Sequence, residues 1–254
     1  MHDFEFAKDK VMMGAERRSL VMTAEQKEMT AYHEAGHAIV GMKLEKCDPV
    51  YKATIIPRGG ALGMVVSLPE MDRLNMHKDE AKQRITMTMA GKAAEIYKYG
   101  EDRVSNGPSG DIQQASGIAR AMVMRWGMSD VVGNIDYSEA HQGYSGSTGG
   151  FSVSAHTKEL IEKEVKDLIE AGFVDAKKII QDNVTEFERL AQGLLEYETL
   201  TGDEIARVMS GKPPQPGNDE PGEKVVAEKP SVTSIPKAGK KPKGDPDLEP
   251  EPTV

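Results

Sequence analysis

Apolar residues recur three and four positions apart along most of this chain, with polar residues filling the intervals. That period marks helices with one buried face. Residues 23–45, "TAEQKEMTAYHEAGHAIVGMKLE", open with Thr23 and Gln26 in capping-box spacing and meet no proline before Pro49. Residues 78–100 read as one further helix, with Ile85, Met89, Ala93 and Ile96 on a single stripe. Residues 110–129 do the same with Ile112, Ala115, Ala119, Met122, Val123 and Trp126. Residues 156–198 hold the helical period throughout, and Gly172 is the expected point of a break or bend. A second capping box, Thr201 to Glu204, predicts a last short helix.

Two stretches depart from this period. Residues 51–70, "YKATIIPRGGALGMVVSLPE", are β-branched and apolar on both sides of "PRGG", which predicts a hairpin or a pair of short strands. Residues 138–154, "SEAHQGYSGSTGGFSVS", predict a mobile surface loop. The fold class expected is therefore mainly α, with a small β hairpin or edge strand.

Composition adds a boundary. Ten of the 14 prolines and no aromatic residue fall within residues 212–254. Such a segment buries too little apolar area to offset its ordering entropy, so a disordered tail is expected there. The net charge of −9 argues against nucleic acid as the main partner, since phosphate binding wants a basic face. One cysteine, Cys47, excludes an internal disulfide and fits a reducing compartment. No apolar run of 18 residues exists, and the N-terminus is charged at once. The chain itself is expected to be soluble, with any membrane attachment lying outside it.

The chemistry concentrates in "HEAGH", residues 33–37. Positions four apart share a helix face, so His33 and His37 can reach one metal ion. Glu34 then stands beside the ion, where it can take a proton from an activated water. This is the H-E-x-x-H pattern of zinc proteases. A catalytic zinc needs a third protein ligand. Val40 and Lys43 stand where another class of zinc protease continues with glycine and histidine. His77, His141 and His156 lie in polar or loop contexts and read as ordinary surface histidines. Glu95 and Asp111 remain, and by residue physics alone they are evenly matched. Asp111 has a competing explanation as a first-turn aspartate favoured by the helix dipole. "GPSGD" falls short of a G-x-S-x-G nucleophile elbow, and Cys47 sits in a polar turn, so neither is a candidate nucleophile.

In order along residues 4–208, several blocks resemble the peptidase domain of the FtsH-type ATP-dependent zinc metalloproteases and their mitochondrial AAA relatives. These blocks are "FAKDKVMMGAERRS", "TAYHEAGHAIVG", "ATIIPRGGALGMVVSLPE", "AGKAAEIYKYG", "VSNGPSGDIQQASGIARAMVMRWGMSD" and "LLEYETLTGDEI". The resemblance implies that Asp111, the aspartate of the "VS-G---D" loop, completes a zinc site with His33 and His37. It leaves Glu95 near the site or structural, and makes Glu34 the catalytic base. It also implies that residues 61–66 add extended substrate as a strand. Two departures stand out: Ile96 replaces a usual second acidic residue, and Pro108 stiffens the loop before Asp111.

The resemblance further implies one Zn2+ per chain, polypeptide substrates, a homohexamer, and ATP use through an ATPase domain absent from this chain. No G-x-x-x-x-G-K-[ST] phosphate loop occurs here. Residues 1–22 are then expected to lead in from that ATPase domain, residues 23–211 to form the peptidase, and residues 212–254 to be the tail. The whole protein would sit in a bacterial cytoplasmic membrane through an N-terminal anchor, with this domain on the cytoplasmic side. The competing reading is a non-catalytic module that forms the hexamer while its metal site is silent.

Overall fold

The computed structural model describes residues 2–17, 19–69, 75–137 and 153–214. Helix α1 spans His2–Met13 and α2 spans Ala24–Lys43. Strands β1 (Val50–Thr54) and β2 (Met64–Ser67) follow. Next come α3 (Lys78–Thr88), α4 (Ala90–Tyr99), a 3-10 turn (Glu101–Arg103) and α5 (Ser109–Met124). Helices α6 (Ala155–Asp182) and α7 (Val184–Tyr197), strand β3 (Thr199–Thr201) and α8 (Gly202–Met209) complete the domain. The expected mainly α class with a small sheet is what forms. The expected loop falls almost wholly on residues outside the description, and so does the tail from residue 215 onward. Residues 212–214 still hold to α8: Lys212 N–H donates to the Arg207 carbonyl at 2.9 Å.

Both capping boxes close as the sequence predicts. The Thr23 hydroxyl accepts from Gln26 N–H while the Gln26 side chain accepts from Thr23 N–H, which gives α2 a defined start. Thr201 and Glu204 do the same for α8.

Three expectations need correction. Residues 78–100 form two helices, because the chain turns at Met89, which caps α3 and opens α4. Residues 156–198 also form two helices, but the break falls at Asn183 and α6 runs straight through Gly172. The reason is packing. A Cβ at Gly172 would lie 2.8 Å from Ile85 Cγ2 and 3.2 Å from Thr86 N, so this glycine lets α6 close on α3. The third correction concerns α5, where Ala115, Ala119, Met122 and Val123 are buried while Ile112 is exposed, and Trp126, also exposed, falls past the end of the helix.

The hairpin forms, and it gains a strand that periodicity could not reveal. The sheet order is β2-β1-β3, with β1 antiparallel to both neighbours. Ala53 pairs with Val65 on one side and Leu200 on the other. Strand β2 is thus an edge. Glu198, in the left-handed region at φ 59°, turns the chain from α7 into β3, and its carbonyl accepts from Ile55 N–H at 2.9 Å. The N-terminal segment is stitched to this sheet region: Lys52 pairs with Asp9, and Arg58 pairs with Glu16 at 2.6 Å.

One apolar core joins α2, α4, α7, α8 and the inner face of the sheet, with Tyr32, Ile39, Phe187 and Leu200 at its centre. A second packs α3 and α5 beneath α6 through Ile85, Met122 and Leu168. Helices α2 and α4 meet at small residues. A Cβ on Gly36 would come within 2.6 Å of Ala94 Cβ and 2.7 Å of the Ala90 carbonyl oxygen, so the two backbones are in near contact. That approach presents the third turn of α2 to the start of α4.

Candidate metal centre

The site is built where α2, α4 and the start of α5 converge. Helical spacing puts His33 and His37 on one face, and their Nε2 atoms lie 3.2 Å apart. Asp111, in the first turn of α5, brings Oδ2 to 3.2 Å from His33 Nε2 and 3.5 Å from His37 Nε2. Among the described residues this is the one group of three potential metal ligands, with its ligand atoms all within 4.8 Å of one another.

The geometry fits zinc. Ligand atoms about 2.0–2.1 Å from a tetrahedral zinc lie roughly 3.3 Å from each other, which is the spacing found here. Tautomers fit as well. His33 Nδ1–H donates to Glu95 Oε1 at 3.0 Å, and His37 Nδ1–H donates to the Met87 carbonyl at 2.8 Å. Both Nε2 lone pairs are thereby directed at the shared point. Met87 lies in the last turn of α3, where the turn at Met89 interrupts the regular i+4 pairing and leaves this carbonyl within reach of His37. Space is made by Gly91. A Cβ there would sit 2.5 Å from His33 Cε1 and from His37 Nε2.

Electrostatics favour a cation at the same point. Burial works against a charged His33, yet hydrogen bonds to Asp111 and Glu95 hold its pKa up at about 10. Burial likewise opposes charge on Asp111, but the two imidazoles keep its carboxyl well below the usual range. The same carboxylates that favour a proton on His33 would favour a divalent ion at the point the two Nε2 atoms and Asp111 share. Burial raises the Glu34 carboxyl above its ordinary value, with His33 and His37 opposing. Glu34 is buried beside the trio, its Oε1 against Gly63 in the approach to β2.

Asp111 and Glu95 therefore occupy different stations. Asp111 reaches both Nε2 atoms, while Glu95 stands behind His33 at Nδ1. Burial raises Glu95, but donors from His33 and Ser105 outweigh it and hold the carboxyl below its usual value. His77 caps α3 on the exposed surface, His156 lies near the start of α6, and His141 falls outside the described residues. Cys47 lies on the cleft wall, and Ser109 opens α5. The sequence reading did not anticipate Gly91, Gly63 or the Met87 carbonyl. The small residue in "AGKAAE" was the one visible trace of the first, and a backbone acceptor leaves none.

The trio opens on a cleft of about 1620 Å³. Gly60–Val65 and Ser67 form one wall, so the edge strand runs beside the histidines. Met29, Met76, Met87, Met128 and Trp126 supply much of the apolar lining.

A mainly helical domain with H-E-x-x-H on a buried helix, an aspartate closing the trio and an edge strand along the cleft has the construction of a metallopeptidase. The sequence model of peptidase family M41 matches residues 20–208. The chain belongs to that family. It is 46% identical over 231 residues to an ATP-dependent zinc metalloprotease FtsH from Caulobacter vibrioides, covering 89% of this chain and 37% of the relative. Another protein of that name, from Rickettsia bellii, is 47% identical over 213 residues, covering 84% of this chain and 33% of the relative. The mitochondrial inner membrane i-AAA protease supercomplex subunit YME1 of Saccharomyces cerevisiae is 42% identical over 212 residues, covering 84% of this chain and 27% of the relative. The chain thus spans about a third of the length of these curated relatives.

Proposed function

We propose that this chain is the zinc endopeptidase domain of an ATP-dependent, membrane-anchored protease that degrades unfolded polypeptide. The observation that carries the reading is the convergence of two Nε2 lone pairs and Asp111 Oδ2 at tetrahedral spacing beside a buried carboxylate. His33, His37 and Asp111 would hold one Zn2+. When bound, zinc supplies Lewis acidity, which polarises a peptide carbonyl and lowers the pKa of water to about 7. Glu34 takes the proton of the attacking water on its carboxylate and delivers it to the nitrogen of the leaving amine. Glu95 and the Met87 carbonyl hold the two imidazoles in the tautomer this requires.

The experiment is Glu34→Gln. The variant keeps every metal donor and removes the base. It should retain about one zinc per chain and lose casein cleavage by at least ~100-fold, the lower range for a general base. Undiminished cleavage would sink the assignment of Glu34. Absence of zinc from the wild-type chain would sink the metal site.

Substrate in extended form is proposed to pair with β2 as a further strand. Leu68 N–H bonds to the Pro49 carbonyl, so by strand alternation the amide of Val65 faces away from β1. Val65→Pro removes that outward donor. It should keep zinc and slow casein cleavage by roughly tenfold, about the worth of a lost hydrogen bond. Unchanged kcat/KM would count against strand addition.

ATP use would reside in the part of such a protease that the aligned third does not cover. Among the described residues no helix is long and apolar enough to cross a membrane. Membrane anchorage, a cytoplasmic position for this domain and homohexamer assembly rest on the family resemblance. Sedimentation of the purified chain measures the last directly.

A further inference from the structure

Behind Glu95 stands a hydroxyl that the mechanism does not use. Ser105 sits in the loop between the 3-10 turn and α5, six residues before Asp111. It gives Glu95 two hydrogen bonds, one to each carboxylate oxygen: its N–H to Oε2 at 2.8 Å and its hydroxyl to Oε1 at 3.1 Å. The hydroxyl's direction is fixed by a third bond. Gly107 N–H donates to Ser105 Oγ at 2.9 Å, so the Oγ lone pair is engaged and its proton is free to go to Glu95. Glu95 Oε1 is the same atom that accepts from His33 Nδ1.

The Glu95 side chain is only 2% exposed, so its carboxylate oxygens find their hydrogen-bond partners among these donors rather than in solvent. The chain of bonds runs from the Gly107 amide through the Ser105 hydroxyl and the Glu95 carboxylate to His33. One end is the loop that carries Asp111, and the other is the first histidine. Backbone bonds continue the loop into α5: Ser109 N–H donates to the Asn106 carbonyl at 3.2 Å, and Ile112 N–H to the Pro108 carbonyl at 2.9 Å. The two sides of the metal trio come from α2 and α5, and through Glu95 the Ser105 side chain links the segment before α5 to His33 on α2.

We propose that Ser105 is a positioning residue for the metal centre, acting through Glu95 to hold His33 and the Asp111 loop in register. This rests on the metal reading above. Removing such outer partners generally costs about 10–100-fold in metal affinity.

The test measures Zn2+ affinity of the full 254-residue chain by chelator competition, with the absorption spectrum of the Co2+-loaded protein as a second readout. Ser105→Ala keeps the backbone donor and deletes the hydroxyl. It should weaken Zn2+ binding by about tenfold and alter the Co2+ bands. Ser105→Thr, which restores a hydroxyl, should recover both. In a Glu95→Ala background, which leaves the Ser105 hydroxyl no acceptor to act through, Ser105→Ala should cost nothing further. Unchanged affinity in Ser105→Ala overturns the proposal, even if the metal-free protein melts lower, since that result marks a merely structural serine. An equal loss in the Glu95→Ala background also overturns it. If Ser105→Ala does not fold, Ser105→Val against Ser105→Thr isolates the hydroxyl at constant volume. A wild-type chain that binds no Zn2+ fails the metal reading itself and is distinguished from these outcomes at the first measurement.

Discussion

Gly91 carries no functional group, yet it decides whether two imidazoles can share a point. Alanine is the better helix former by about 1 kcal/mol in a helix interior. At this position its methyl would lie 2.5 Å from a carbon of His33 and from His37 Nε2. The steric effect outweighs the propensity, since overpacking typically costs about 1–3 kcal/mol and displaces side chains. Gly91→Ala is expected to retain its helical circular dichroism and to lose zinc affinity by at least ~10-fold, comparable with disrupting ligand orientation. Zinc content after dialysis checks this, and full occupancy would refute it. The histidine pair and Glu34 were legible from residue spacing alone, because i and i+4 share a face whatever surrounds the helix. The choice between Glu95 and Asp111 was not. Both are acidic residues with plausible local explanations, and only their distances to Nε2 and Nδ1 separate them.

The helices raise the same contest between local preference and contact. Gly172 looks like a break in sequence because glycine weakens a helix. Its neighbours across the interface reverse that meaning, as α6 approaches Ile85 and Thr86 too closely for a Cβ. Gly172→Ala should therefore lower stability by about 1–3 kcal/mol rather than raise it. Urea denaturation measures the sign, and a stabilised variant would show that the glycine does not set the α3–α6 distance. The true break, at Asn183, carries no proline or glycine and was invisible to periodicity. The turn at Met89 was hidden for a similar reason, since the apolar spacing continues through it. That turn matters to the site, because it leaves the Met87 carbonyl for His37. Strand β3 escaped notice because three residues, Thr199–Thr201, are too few to display alternation.

At the scale of the molecule, the centre draws its donors from distant parts of the chain and should report on folding. The trio exists only when α2, α4 and α5 are assembled, so an ion bound there stabilises the native state alone. The expected gain is about 4 kcal/mol at a thousandfold excess of free zinc over Kd. Chelation should lower Tm, and re-addition of Zn2+ should restore it, as followed by calorimetry. A Tm indifferent to chelator would mean that no ion is held in the folded domain. The cleft along β2 adds a second molecular feature that no single element contains. Its walls come from α2, the hairpin, α3 and α5 together.

The chain's own order of residues determined the helical class, both capping boxes, the hairpin and the pairing of His33 with His37 beside Glu34. Each depends on neighbours a few positions apart, and local geometry is the same in any fold. Tertiary structure alone decided which acceptors orient the imidazoles, where the helices break and which strand lies at the edge, and it places Asp111, which the family resemblance already implied, within reach of both Nε2 atoms. Those outcomes depend on backbones brought together from tens of residues away. There, a missing methyl at Gly91 or Gly172 outweighs any preference of the segment that contains it.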